Sequence, residues 1–193
     1  MVSSRPTVFR SVGGVLAGRQ NGTSLIEILV TIVILAIGLL GLAGLQSRLQ
    51  VSEMEAYQRA QALILLNDMA SRVASNRANV ADYLVAPGSE VGVGAGCTGF
   101  VGDLGEWCSA LQGASETSGG SNVGVMVGGR GCIEDLGGGE YLISVAWQGL
   151  SPISAPPEEV ACGAGLYDGG NGCTGDLCRR VVTTIVAIAD LSS

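Results

Sequence analysis

The chain has 193 residues and a formal net charge of −7, with 10 basic side chains, 17 acidic side chains and no histidine. All ten basic residues are arginines, which excludes histidine-based acid–base catalysis, Ser-His triads, lysine nucleophiles and histidine-ligated metal sites. From Thr23 onward, seven arginines accompany 17 acidic residues, a net charge of −10 without a basic patch that could follow a phosphate backbone. We therefore expect neither an enzyme nor a nucleic-acid-binding protein.

An uncharged apolar stretch occupies residues 28–45 and is long enough to cross a bilayer as a helix. The first 22 residues carry three arginines and no acid, and the positive-inside rule keeps such a segment in the cytoplasm. Everything downstream of the apolar stretch is then predicted to face outward. An even number of cysteines in a translocated segment predicts disulfides. The six cysteines are Cys97, Cys108, Cys132, Cys162, Cys173 and Cys178.

Glu27 stands at the entrance to this apolar stretch. An acid among apolar residues costs a few kcal/mol, so the sequence predicts a functional carboxylate with a positively charged partner. The alternative is that Glu27 merely lies at the level of the lipid headgroups. Further along the stretch, Gly38, Gly41 and Gly44 favour either close helix packing or a segment that can loosen.

The run from Gly22 to Glu27, Gly-Thr-Ser-Leu-Ile-Glu, followed by the apolar stretch, resembles the processing site of type IV pilins. The resemblance implies a leader peptide over residues 1–22, cleavage after Gly22 by a prepilin peptidase, and N-methylation of Thr23. It also places Glu27 fifth in the mature chain, where it can pair with the amino group of Thr23 on a neighbouring subunit and offset both desolvation costs. Two departures are the threonine in place of the usual phenylalanine and the length of the leader.

A helical signal continues beyond the apolar stretch, because residues 46 to about 77 lack glycine and proline and are rich in helix formers. The sequence predicts a long helix over residues 23–80, membrane-spanning over about 25–45 and amphipathic beyond. One apolar face is expected to pack on a sheet. Its predicted members are Ala56, Ala60, Leu63, Leu66, Ala70 and Val73.

Two parts of this helix, Ile34–Gln46 and Arg59–Val80, are similar to the minor pilins called type IV pilus modification protein, PilV. The resemblance is carried in the second part by polar residues around the pair of Asp68 and Arg72. These two side chains have four-residue spacing on a helix, which stabilises it by a few tenths of a kcal/mol. We interpret them as surface and packing residues and expect no catalytic site there.

Residues 81–193 are predicted to form a glycine-rich β head, since 24 of the 31 glycines follow Pro87. Strands are predicted over Val123–Val127, Glu140–Gln148 and Arg179–Asp190 from their β-branched and aromatic residues. The glycine strings at residues 92–96 and 128–131 are interpreted as loops, because neither has the flanking strand and helix of a nucleotide site. The expected fold class is α+β and pilin-like, with a long helix packed on a small antiparallel sheet.

Six cysteines allow 15 pairings, and the sequence does not choose among them. Cys97 with Cys108, and Cys162 with Cys173 or Cys178, would be local closures that brace long loops. No metal or cofactor is expected, because the chain has neither a C-x-x-C pair nor a histidine. Three oxygen-bearing residues of the last loop fit a calcium pattern poorly and favour a solvated loop. They are Asp168, Asn171 and Asp176.

The function predicted from the resemblance is that of a minor type IV pilus subunit. Its expected partners are other pilin and minor pilin subunits, the prepilin peptidase and methyltransferase, and the inner membrane. Its expected location is the inner membrane, as a single-pass protein with a cytoplasmic N-terminus and a periplasmic head, and then the pilus at the cell surface. Two alternatives are a minor pseudopilin of a type II secretion system and a membrane-anchored extracellular binding or adhesin domain.

Overall fold

The computed structural model describes residues 22–92, 97–114, 117–119, 121–122, 126–170 and 172–189. The chain divides into two units, Met1–Leu45 and Gln46–Ser193. A single helix, α1, covers Leu25–Ser75 and contributes residues to both. Each unit is described separately below.

In the first unit, α1 carries apolar side chains around its whole circumference, and every residue of 25–45 is exposed. Its most apolar window has a mean hydropathy of 2.8, and none of that window is buried. Within the described part of the chain, α1 is the one helix that is long and apolar enough to cross a membrane. A helix that is apolar all round and unburied is typical of a membrane span.

In the second unit, α1 ends at Ser75, close to the predicted limit, and a 3-10 helix follows over Arg77–Tyr83. The remaining elements are short and are separated by loops. They are β1 (Val91–Gly92), α2 (Gly102–Leu111), β2 (Thr117–Ser118), β3 (Ser121–Asn122), β4 (Val127–Gly137), β5 (Glu140–Gln148) and β6 (Arg179–Ala187).

The main sheet is antiparallel and has the strand order β1-β4-β5-β6, while β2 and β3 form a separate hairpin. Strand β5 matches the predicted segment at both ends, and β6 begins where predicted but ends at Ala187. The pairing of β5 with β6 runs without interruption from Glu140 with Ala187 to Gln148 with Arg179. The long helix and the small antiparallel sheet confirm the α+β, pilin-like layout.

The third long strand was placed too early in the sequence. Of the predicted strand Val123–Val127, residues 123–125 lie outside the described part, Met126 is in a bend, and Val127 opens β4. The glycine string at residues 128–131 is therefore strand and not loop. Two of its glycines are required by close packing, since a Cβ at Gly129 would overlap the Leu111 carbonyl and one at Gly131 would overlap the Trp107 ring.

The main core lies between one face of the sheet and the helices α1 and α2. Trp107 and Trp147 are both buried in it. The Trp107 indole also donates a hydrogen bond to the Leu65 carbonyl over 3.1 Å, which joins α2 to α1. The other face of the sheet carries a smaller core. It contains Cys132, Ala146, Cys162 and Tyr167, with Val181 packed against it.

Half of the predicted apolar face of α1 is wrong. Leu66 and Val73 are buried and Ala70 is half-buried, but Ala56, Ala60 and Leu63 are exposed. The helix also carries apolar residues on its outer side, so apolar spacing alone does not identify the inner side. The buried residues are Gln58, Ala62, Leu65, Leu66, Met69 and Val73.

Three disulfides use all six cysteines: Cys97–Cys108, Cys132–Cys162 and Cys173–Cys178. Cys97–Cys108 is one of the local closures that the sequence left open. The other local closures do not occur, because Cys162 crosses to Cys132 of β4 and Cys173 pairs with Cys178. Cys162 can pair with Cys132 because β4 places Cys132 on the sheet face that Cys162 packs against. Because β4 was not predicted from the sequence, this pair could not be predicted either.

Candidate functional site

The predicted processing segment lies immediately before α1. Gly22, Thr23 and Ser24 are exposed and non-helical, and the helix begins at Leu25. A Cβ placed at Gly22 would meet no atom within 4 Å. Gly22 and Thr23, the residues on either side of the predicted cleavage bond, are therefore both exposed and outside the helix.

Glu27 lies in the first turn of α1, and its side chain is exposed. The Glu27 amide donates to the Ser24 carbonyl at 3.0 Å, which closes that turn. A carboxylate in a first turn is favoured by the unsatisfied N–H groups and by the helix dipole. The structure therefore brings Gly22, Thr23 and Glu27 together at one helix end, with the acid one turn beyond the predicted new N-terminus.

In the second unit, Arg72 of α1 joins three carboxylates. Its guanidinium contacts Asp68 at 2.9 Å and both Asp103 and Glu106 of α2 at 2.7 Å. The hydrogen bonds that Arg72 donates to Glu106 and Asp103 raise the pKa of Arg72. The Tyr83 hydroxyl also donates to Asp103, and the bonds from the tyrosine and the arginine lower the pKa of that carboxyl. This network holds α2 against α1.

The last loop is held by carboxylates that accept backbone N–H groups. Asp168 accepts from Gly175 at 3.1 Å and from Asp176 at 2.8 Å, while Asp176 accepts from Gly165 at 2.8 Å. Asp176 also pairs with buried Arg179 at 3.1 Å. These carboxylates therefore act as acceptors for the backbone of their own loop. Asn171 lies outside the described residues, among which no metal-binding group of acids and cysteines occurs.

A buried acid, Glu90, connects this loop to the start of β1. Its carboxylate accepts N–H groups from Gly88 at 2.9 Å and from Gly163 at 3.2 Å. Burial acts to raise the pKa of Glu90, but these backbone hydrogen bonds and the charge of Arg130 outweigh it and lower the pKa. Nearby, burial raises the pKa of Tyr167 to about 12. The Tyr167 ring lies 4.9 Å from the Arg130 guanidinium, and both groups brace the loop.

Sequence reasoning missed α2 and its ion pairs, because the segment contains two glycines and lies in a glycine-rich region. A signal was nevertheless present, since four of its residues have the spacing of one helix face. They are Leu104, Trp107, Cys108 and Leu111. Of these four, the last three are buried.

The N-terminal site is the part of the chain with a known counterpart. Residues 17–43 match the prokaryotic N-terminal methylation motif. The match covers the predicted cleavage site, Glu27 and most of the apolar stretch, and it supports a type IV prepilin-like protein, either a pilin or a pseudopilin. Proteins with this motif are typically structural subunits that interact with other pilins and with the processing machinery. No curated protein and no solved structure shows significant similarity to the chain.

Proposed function

We propose that this protein is a minor subunit of a type IV pilus, of the type IV pilus modification protein (PilV) kind. The observation that carries the proposal is the methylation motif at residues 17–43, placed on an exposed bond at the start of a 51-residue helix. In this proposal residues 1–22 are a leader, residues 23–80 are the helical stem and residues 81–193 are the head. The head is periplasmic before assembly and lies at the cell surface afterwards.

Processing leaves Thr23 as a charged N-terminus two residues before the helix begins. Both this amine and the Glu27 carboxylate adjoin the apolar residues of α1, where an unpaired charge costs a few kcal/mol. Pairing the carboxylate of one subunit with the amine of a neighbour offsets these costs, and removing one partner leaves the other unpaired. The pair therefore favours entry of the helix into a filament and sets its depth there.

The first experiment is intact-mass and N-terminal peptide analysis of the protein from membranes and from sheared surface filaments. The expected species begins at methylated Thr23 in both samples. Retention of residues 1–22, or cleavage after the apolar stretch, would contradict the proposal and favour an anchored or secreted head. In a strain that lacks the protein, the number of pili is expected to fall while type II secretion continues. The opposite result assigns the chain to a secretion pseudopilus.

The role of Glu27 is tested with two matched variants of exposed glutamates on α1. Glu27→Ala is expected to be processed but absent from filaments, while Glu53→Ala, beyond the apolar stretch, enters them normally. The measurement is the ratio of the protein in filaments to that in membranes. Equal ratios for both variants would refute the pairing.

A further inference from the structure

Strand β6 forms an edge of the main sheet that lacks the usual protection. In the described residues it pairs with β5 alone, whereas the outer side of β4 is covered by β1 and by a bridge from Val85 to Ile133. Natural edges are commonly blunted by charge, proline, a bulge or short length. β6 has nine residues and no register shift, and residues 181–189 contain no charge, glycine or proline.

The backbone groups that point away from β5 can be assigned from two hydrogen bonds that flank the β5–β6 ladder. Gly149 donates to the Cys178 carbonyl and Ile188 donates to the Gly139 carbonyl, each at 2.8 Å. In an antiparallel ladder, directly opposed residues alternate between bonded and non-bonded pairs. The even-numbered residues of β6 therefore bond to β5, and the odd-numbered ones point outward. The outward residues are Val181, Thr183, Ile185 and Ala187.

These four residues present N–H and C=O groups that bond to no described residue outside the ladder. Three of them, Thr183, Ile185 and Ala187, are also exposed. A row of alternating donors and acceptors is the surface on which an extended peptide adds as a new strand. Its length, from residue 181 to 187, fits a segment of about seven residues at the spacing of a strand.

A groove of about 410 Å³ lies beside the start of this edge, between α1 and the sheet. Trp147, Ile153 and Val182 contribute its apolar lining, and Arg59 and Arg180 its positive charges. The two arginines differ in their engagement. Arg180 contacts Glu55 at 3.4 Å and donates to a carbonyl of the adjoining loop at 2.6 Å.

Arg59, by contrast, is exposed and makes no ion pair or hydrogen bond with the residues that the structure describes. With Glu55 and Arg180 paired, the groove retains one uncompensated positive charge. This charge stands out in a chain whose net charge is −10 from Thr23 onward. A carboxylate is the group that complements it.

We propose that the β6 edge and the adjoining groove bind an extended segment of another polypeptide, which adds as a fifth strand and places a carboxylate near Arg59. A second copy of β6 fits less well, because residues 181–189 carry no acid and two such acidic chains repel each other. The partner is thus a different protein with a β-branched segment of about seven residues that includes one acid. The proposal does not depend on the pilus assignment.

The test uses the full chain in detergent micelles and synthetic peptides with blocked ends. Two heptapeptides of alternating valine and threonine carry a glutamate at the second or the sixth position, which covers both strand directions. Binding of at least one of them is expected to slow hydrogen exchange at the amides of Val181, Thr183 and Ile185 by about tenfold or more. The same peptide with N-methylated amides on its pairing edge is expected not to bind, since it keeps the side chains but loses the donors.

Two pairs of protein variants separate the edge from the groove. Thr183→Pro removes an outward N–H without removing a bond to β5, and it is expected to weaken binding at least tenfold, whereas Thr183→Ala binds normally. Arg59→Met, or glutamine in place of the peptide's glutamate, is expected to weaken binding by about fivefold. Arg48→Met, on the same helix but outside the groove lining, is the control and should have no effect.

Several results would overturn the proposal. Strand addition would be excluded if the N-methylated peptide bound the unaltered chain as tightly as the unmodified peptide does. It would be excluded independently if the peptide bound Thr183→Pro and Thr183→Ala equally well. Slow exchange at the odd-numbered β6 amides without any peptide would show that the edge is already covered. Analytical sedimentation would then show what occupies the edge. A monomer indicates a segment of the same chain, and a dimer indicates a second copy.

Discussion

Removing the disulfide between Cys132 and Cys162 is predicted to destabilise the second unit more than removing either other disulfide. It joins cysteines 30 residues apart, whereas Cys97–Cys108 and Cys173–Cys178 have separations of 11 and 5. In the chain-entropy model these loops correspond to about 3.6, 2.8 and 2.1 kcal/mol respectively. The order of the three predicted losses follows from the order of the loop lengths.

Packing adds to the largest of these losses. Cys132 and Cys162 are both fully buried in the smaller core beside Ala146 and Tyr167, so a pair of alanines there also loses apolar contacts. At about 2–4 °C per kcal/mol for a protein of this size, the double alanine variant is expected to melt about 7–14 °C lower than the wild type. The corresponding loss at Cys173 and Cys178 is about 4–8 °C.

Near-UV circular dichroism of the full chain in detergent provides the assay. Trp107 and Trp147 both belong to the second unit, so the signal reports on that unit and not on the apolar part of α1. Each cysteine pair is replaced by alanines in turn, and the three melting temperatures are compared. Equal shifts, or a larger shift at Cys173 and Cys178, would refute the loop-length argument.

Three other changes test the packing and the charges of the same unit. Gly131→Ala places a methyl group into an indole ring and is expected to cost about 1–3 kcal/mol in urea unfolding, whereas Gly169→Ala, in open space, costs almost nothing. Arg72→Met removes three ion pairs with partly exposed acids and is expected to lower the free energy of unfolding by about 1 kcal/mol. The control Arg77→Met should stay within about 0.5 kcal/mol of the wild type. Equal losses for the two variants would contradict a stabilising role of the Arg72 network. Because the pKa of Glu90 is lowered in the folded state, its ionised carboxylate stabilises the fold above pH 4.5, and this stabilisation is lost as the pH falls through the lowered pKa. The difference in unfolding free energy between the wild type and Glu90→Gln should therefore decrease below about pH 4.5. A difference that stays constant with pH would contradict this.

The sequence was most informative where one local pattern determines the structure. An uncharged stretch predicts α1, and β-branched residues between turn residues predict β5 to the residue. Strand β4 was hidden because its glycines lower strand propensity, and their reason is tertiary: Gly131 leaves space for Trp107 on another element. The need for glycine at such a position cannot be predicted before the position of the neighbouring element is known.

The candidate sites show the same difference between features formed by residues close in sequence and features formed by distant ones. Gly22, Thr23 and Glu27 are consecutive or nearly so, and a helix start brings them together without any other part of the chain. The contacts of Arg72 with Asp103 and Glu106 span 31 and 34 residues, and the disulfide of Cys162 depends on which face of β4 carries its partner. Long-range pairs of this kind follow from the order and register of the strands, which single-sequence patterns do not specify.

The division between a motif-bearing helix and a head without that motif has a consequence for specificity. A methylation motif and an apolar helix provide processing and membrane insertion, but they are general features and cannot distinguish one partner from another. Discrimination requires surfaces with defined donors, acceptors and charges. In the described part of the second unit, the β6 edge supplies directional backbone groups and Arg59 supplies an unpaired charge beside them. If partner choice resides in this surface, Thr183→Pro should alter what the protein binds while leaving the proposed processing at Gly22 intact.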